Sequence, residues 1–177
     1  MKILALMGSP RKGSNTDILI DKVLEGAITN DHTSEKIYLY DYDIKPCIAC
    51  YGCTKGELNC VQNDGMQEIY PKMDEAGLII FGTPIYWFGS TGPMKNIVDR
   101  LFAYINNKRI VGKKGLLVSP STGGPASSDL LIETLKRSLR FLKVEYIGEL
   151  ISKATKRAEL KDNEKELKRA FELGASL

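Results

Sequence analysis

Lys2-Ile3-Leu4-Ala5-Leu6-Met7-Gly8-Ser9-Pro10-Arg11-Lys12-Gly13-Ser14-Asn15-Thr16 is the stretch that decides the fold. Its first six residues are dominated by apolar side chains without polar alternation, which reads as a buried strand. A short loop follows, carrying two glycines, several hydroxyls and one arginine. Beyond it, Asn15 to Thr29 places Ile18, Leu19, Val23, Leu24 and Ala27 at helical spacing. A strand that turns through a small polar loop into a helix opens an alternating α/β chain.

The alternation continues to the end. Strands are predicted over Glu35–Tyr40, Gly77–Thr83, Lys114–Ser119 and Val144–Ile151. Helices are predicted over Gly65–Glu75, Gly92–Asn106, Ala126–Leu142 and Glu159–Leu173. Pro93 falls in a first turn, where its missing N–H costs little. Such a pattern implies a parallel sheet covered by helices on both faces, with right-handed crossovers. Five strands of this kind fit the doubly wound order 2-1-3-4-5 of flavodoxin-like α/β folds, whose ligands sit outside the carboxyl ends of the strands. The whole chain, residues 1–177, reads as one domain with a cysteine-rich insertion at about 43–64.

Composition narrows the function classes. The 25 basic and 22 acidic residues leave a net charge of only +3, with no basic stripe interleaved with aromatics, so nucleic acid is not an expected partner. The slight positive balance suits nucleotides or an acidic electron carrier. No apolar run reaches the length of a membrane span, and the apolar start is too short for a secretory segment. A cytoplasmic, reducing setting is therefore expected, where clustered cysteines serve metals or redox chemistry more often than structural disulfides.

Three loops at strand ends are candidates for the site. In the first, the helix N-terminus offers unpaired N–H groups and a partial positive charge to an anion. Ser9, Ser14, Asn15 and Thr16 add side-chain donors, and Arg11 adds a guanidinium suited to phosphate. The loop is neither a Walker A sequence nor a dinucleotide fingerprint. Helix capping by Ser14 or Asn15 is expected in addition. In the second, Thr83-Pro84-Ile85-Tyr86-Trp87-Phe88-Gly89-Ser90 places three aromatics in a row, at least one of which should face solvent or a ligand. In the third, Ser119-Pro120-Ser121-Thr122-Gly123-Gly124-Pro125 has glycines that permit close backbone approach.

All four cysteines lie between the second strand and the short helix, as Cys47, Cys50, Cys53 and Cys60. The spacing C-x2-C-x2-C-x6-C contains a ferredoxin-type run that grips one face of a 4Fe–4S cube, and Cys60 follows a Gly56-containing turn. A zinc site, which usually pairs two knuckles across a longer gap, and thiols carrying no metal are the alternatives. The single histidine, His32, lies in a polar turn, and no Ser-His-Asp or Cys-His constellation forms around it.

Gly-Ser-Pro-Arg-x-x-Ser-Asn-Thr after an N-terminal strand resembles the phosphate loop of the NADPH-dependent FMN reductase family. Thr83-Pro84-Ile85-Tyr86-Trp87, followed by Gly92-Pro93-Met94-Lys95-Asn96 and Asp99-Arg100, is similar to its flavin-contacting turn and next helix. The resemblance covers about residues 1–150. It implies that Ser9, Arg11, Ser14, Asn15 and Thr16 hold an FMN phosphate and that Pro84, Ile85, Tyr86, Trp87, Phe88 and Gly89 lie along the flavin. Ser119, Thr122, Gly123 and Gly124 would form a third contact. Asp99 and Arg100 read as a local ion pair or as helix packing. The compact cysteine motif resembles that of the iron–sulfur flavoprotein subgroup, implying FMN and a 4Fe–4S cluster in each subunit of a homodimer or homotetramer. In place of the paired-Asp-Met run of such proteins, this chain has Asn63-Asp64-Gly65-Met66.

The function implied is a flavin-centred oxidoreductase. It would pass electrons between FMN, the cluster and an external carrier or small-molecule acceptor, with NAD(P)H as a donor and ferredoxin as a candidate partner. An NAD(P)H-dependent FMN, quinone or azo reductase without a cluster, and a flavodoxin-like electron carrier, are the competing readings.

Overall fold

Residues 1–55 and 60–177 are described by the structure, a computed structural model. The Gly56-containing turn expected ahead of Cys60 lies outside the described residues. The opening strand, β1 (Lys2–Met7), is paired in parallel on both sides, with β2 (Thr33–Tyr38) and with β3 (Leu78–Gly82). Next to β3 comes β4 (Lys114–Ser121), and then β5 (Glu145–Lys153). The sheet order is β2-β1-β3-β4-β5 with every pair parallel, as the alternation predicts.

The apolar run in β1 is explained by its two covered faces. Ile3, Ala5 and Met7 are fully buried against α1 (Asn15–Ile28), on the side that also carries α6 (Glu164–Ala175). Leu4 and Leu6 face the opposite layer of α2 (Met66–Glu75), α3 (Gly92–Arg100) and α5 (Asp129–Phe141). Each fully buried Ile, Leu or Met side chain among these contributes about 1.5–3 kcal/mol. In the first layer, α1 and α6 meet backbone to backbone. A Cβ on Gly174 would lie 1.9 Å from the Val23 carbonyl oxygen, and one on Gly26 would lie 2.1 Å from that of Phe171.

The helix predicted over Gly92–Asn106 is interrupted. After α3 the chain makes a 3₁₀ turn at Leu101–Ala103 and only then a short α4 (Tyr104–Asn107). Leu101, Ala103 and Tyr104 are all buried. Positions two apart point to nearly opposite sides of an α-helix, so the tighter turn lets Leu101 and Ala103 both reach the core. β4 and β5 each run two residues past their predicted ends, pairing Pro120 with Ser152 and Ser121 with Lys153. Among the described residues no helix is long and apolar enough to cross a membrane.

Candidate functional site

The loop between β1 and α1 is held from below. The Gly8 N–H donates to the Gly82 carbonyl at 2.6 Å, and the Ser9 hydroxyl accepts from the Arg11 N–H at 3.2 Å. Gly13 takes a φ of +68°, a conformation that favours glycine. Its N–H reaches the Asp17 carboxylate at 2.7 Å. Asp17 also accepts from Lys36 Nζ at 2.6 Å and from the Tyr38 hydroxyl at 3.0 Å. Burial alone would raise the Asp17 carboxyl, but these donors outweigh it and hold it below the ordinary carboxylate range. The acid nearest the loop is thus neutralised by Lys36.

The upper side of the loop is left open. Ser14 is the N-cap of α1, yet its hydroxyl makes no capping bond although the residue is only 6% exposed. The N–H groups of Asn15, Thr16 and Asp17 are donated to no described group. Buried hydroxyls and free helix-terminal amides facing one space form an anion cradle.

That space is a cavity of about 170 Å³. Ser9, Arg11, Ser14, Asn15 and Thr16 line one wall, while Pro84, Ile85 and Tyr86 come from the loop after β3. Pro120, Ser121 and Thr122 come from the end of β4. Ala154, Thr155, Lys156 and Arg157, after β5, form a wall that the sequence reading missed. The Asn15 side chain joins the two ends of the chain: its Nδ2 donates to the Lys156 carbonyl at 2.7 Å, and its Oδ1 accepts from the Leu160 N–H at 3.1 Å. That side chain is therefore already engaged, leaving its backbone N–H to the cavity.

The other expected contacts lie elsewhere. Ser119 is inside β4, fully buried, with its hydroxyl unpartnered among the described residues. Gly123 and Gly124 lead into a 3₁₀ turn beyond the cavity wall. Gly89 lines a separate cavity of about 110 Å³, shared with Met94, Leu131 and Leu135.

Trp87 and Phe88 are the tip of a two-residue turn closed by reciprocal Tyr86–Gly89 backbone bonds of 2.9 and 3.0 Å. Both have positive φ, +48° and +65°, which is the type I′ requirement normally met by Asn-Gly. Trp87 is 94% exposed, and Tyr86 and Phe88 are exposed as well, where at least one of the three is expected to face solvent or a ligand. Thr91 ties this turn to the first loop, since its hydroxyl donates to the Gly8 carbonyl at 2.6 Å.

The four cysteines are free thiols, and all of them line one cavity of about 280 Å³ together with Tyr51, Asp99 and Phe102. Burial, and next the neighbouring Cys60, push the Cys53 thiol above its ordinary range. Ala49 and Tyr51, on either side of Cys50, have φ of +51° and +56°. The N–H groups of Ile48, Ala49, Cys50 and Tyr51 are donated to no described group. Alternating left-handed residues with free amides are the backbone of an anion-binding nest, a feature shared by phosphate and iron–sulfur sites. The residues present therefore fit a thiolate-bound cluster in donor type and backbone. They are not drawn together at ligating separations, since among the described residues no three His, Cys, Asp or Glu side chains form a metal-holding group.

The cysteine loop is anchored by a buried ion pair. Arg100 donates to both oxygens of Asp64, at 2.7 and 3.0 Å, and the two side chains are 1% and 0% exposed. Asp64 also accepts from the Lys45 and Met66 N–H groups, both at 3.0 Å. Asp99 pairs instead with Lys95, so Asp99 and Arg100 do not form a local pair. His32 stands apart, its Nδ1 3.3 Å from the terminal amine.

Residues 1–156 match the NADPH-dependent FMN reductase family. The chain belongs to that family. Within it, the chain is 43% identical over 100 residues to an iron–sulfur flavoprotein of Archaeoglobus fulgidus, a match covering 56% of this chain and 48% of that protein. The chain thus spans about half the length of this relative. A second iron–sulfur flavoprotein of the same organism is 28% identical over all of this chain and 79% of its own length. In fold, this FMN reductase-family chain is similar to an NAD(P)H:quinone oxidoreductase from Methanothermobacter marburgensis, with a TM-score of 0.73 at 16% identity over 99% of this chain and 94% of that one.

Proposed function

We propose that this chain binds FMN at the ends of β1, β3 and β4 and acts as a flavin-dependent oxidoreductase. The observation that carries the reading is the cavity in which unpartnered amides of α1, the Ser14 hydroxyl and Arg11 meet the Pro84–Tyr86 turn. Membership of the FMN reductase family supports it.

Bound FMN supplies a ring that takes up electrons in pairs or singly. The protein's part is to hold and shield it. The amides of Asn15 and Thr16, with Ser9, Ser14, Thr16 and Arg11, bind the phosphate. Pro84, Ile85 and Tyr86 present backbone and an apolar wall to the ring, and Trp87 and Phe88 stand beside it at the solvent edge. No side-chain base is required, so His32 has no part in the reaction. Reduced nicotinamide is the proposed donor.

Cys47, Cys50, Cys53 and Cys60 are proposed to hold a 4Fe–4S cluster, which would pass single electrons to a carrier such as a ferredoxin. Support comes from their shared cavity and from relatives named iron–sulfur flavoproteins. The test is FMN titration and NAD(P)H turnover, followed by anaerobic reconstitution with iron and sulfide. About four iron atoms per subunit with matching visible and EPR spectra are expected. Flavin-only spectra, with turnover intact after all four cysteines are changed to serine, would leave a reductase without a cluster. Absence of FMN binding would remove the whole reading.

A further inference from the structure

The wall formed by residues after β5 carries two cations, neither of which forms a salt bridge among the described residues. Lys156 and Arg157 are exposed, and neither is within 4 Å of a carboxylate among the described residues. Both line the cavity that Arg11 also lines. Two carboxylates bear on this charge: one is neutralised elsewhere, and the other offsets only part of it. Asp17 is bound from below by Lys36 and the Gly13 N–H. Glu159 accepts from the N–H groups of Thr155 and Lys156 at 2.7 and 2.8 Å and keeps its negative charge beside Lys156, without a salt bridge to it. Three cations against the one carboxylate of Glu159 leave the cavity with an excess of positive charge, which favours an anion.

The placement of this wall is not accidental to the site. Both polar atoms of the Asn15 side chain are spent on it, one on the Lys156 carbonyl and one on the Leu160 N–H. The first residue of the anion-cradling helix therefore sets the position of the second wall. The stretch also falls where the family match ends, at residue 156.

We propose that Lys156 and Arg157 complete a phosphomonoester site whose other half is the Ser9–Thr16 loop, so that the phosphate is gripped from both ends of the chain. This rests on the FMN reading above and adds to it a source of selectivity for FMN over the phosphate-free riboflavin. Charge-assisted contacts to a dianion are the strong class of hydrogen bond.

The test measures FMN and riboflavin dissociation constants by flavin fluorescence for wild type, Lys156→Ala, Arg157→Ala and the double variant, with inorganic phosphate as competitor. Each single change should weaken FMN by about tenfold and leave riboflavin within about twofold. Phosphate should compete with FMN in wild type and lose potency in the variants. Neither side chain makes a bond in the apoprotein, so the variants should keep the wild-type far-UV spectrum and melting temperature. Wild type that prefers FMN, with a double variant of unchanged FMN affinity, overturns this proposal alone. Wild type that binds riboflavin as tightly as FMN overturns the phosphate site itself and this proposal with it.

Discussion

Replacing Trp87 and Phe88 by Asn and Gly should make the protein more stable, although it deletes two large aromatics. Both residues sit at positive φ, where an ordinary side chain costs about 1–2 kcal/mol. Asn and Gly meet the same turn geometry without that cost. The loss on the other side is small. Trp87 is 94% exposed, so little apolar burial is forfeited. Its edge-on contact with Phe88, 6.0 Å between ring centres, contributes about 0.5–1.5 kcal/mol at most. Glycine also loses about 0.5–1 kcal/mol of extra backbone entropy on folding. The net gain is on the order of 1 kcal/mol, or about 2–4 °C in melting temperature for a chain of this size. Far-UV circular dichroism of the apoprotein is the assay, because the substitution removes the protein's only tryptophan. If strain at these positions is kept for function, the stabilised variant should turn over NAD(P)H more slowly. A melting temperature that falls would refute the strain argument, whatever happens to activity.

Asp64→Asn should cost about 3–5 kcal/mol, because it leaves Arg100 buried without a counter-charge. Burial raises the Asp64 carboxyl, but the Arg100 hydrogen bonds and the backbone donors outweigh it and hold it below its ordinary 3.8. The pair therefore stabilises the fold above about pH 3.8 and loses that contribution as the pH falls through the depressed value. Urea titrations of both proteins at neutral pH and in acid should show the gap narrowing only in acid. Asn15→Ala removes two bonds between the first loop and the segment after β5, for about 1–3 kcal/mol. FMN affinity, read by fluorescence quenching, should fall with it. Gly174→Ala must push α6 off α1, since its Cβ would sit 1.9 Å from a backbone oxygen. A loss of about 1–3 kcal/mol by chemical denaturation is expected.

What the sequence revealed was what is local. The β1 loop could be read because its glycines, hydroxyls and arginine are neighbours along the chain and lead straight into a helix. The sheet order could be read because the apolar runs alternate with amphipathic ones. The second wall could not, because the Asn15–Lys156 bond joins residues 141 positions apart and Ser152–Arg157 carries no loop signature. The nearest signal was positional: the segment follows the fifth strand and has three cations in Lys153, Lys156 and Arg157. The Trp87–Phe88 turn was hidden for the opposite reason, since its residues argue against the turn that they adopt. The break after Arg100 was hidden by a helical pattern that continues through it.

The ion pair at Arg100 bears on the oldest question the cysteines raise. Asp64 binds the N–H groups of Lys45 and Met66, so one carboxylate holds both ends of the segment that carries the four thiols. Asn96 fixes the Ile44 carbonyl at 2.7 Å, and Asn106 fixes that of Thr54 at 2.6 Å. None of these anchors uses a sulfur atom. In a small metal-dependent fold the ligands themselves close the loop, and binding energy is folding energy. Here the closure belongs to Arg100, Asp64, two asparagines and Gln62, whose side-chain amide donates to the Pro46 carbonyl at 3.1 Å. The sulfur atoms add only a bond of 3.5 Å from the Gln62 N–H to Cys60 and the packing of Cys53 and Cys60 on the core, so the loop is closed largely without them and their arrangement around one cavity calls for a chemical explanation.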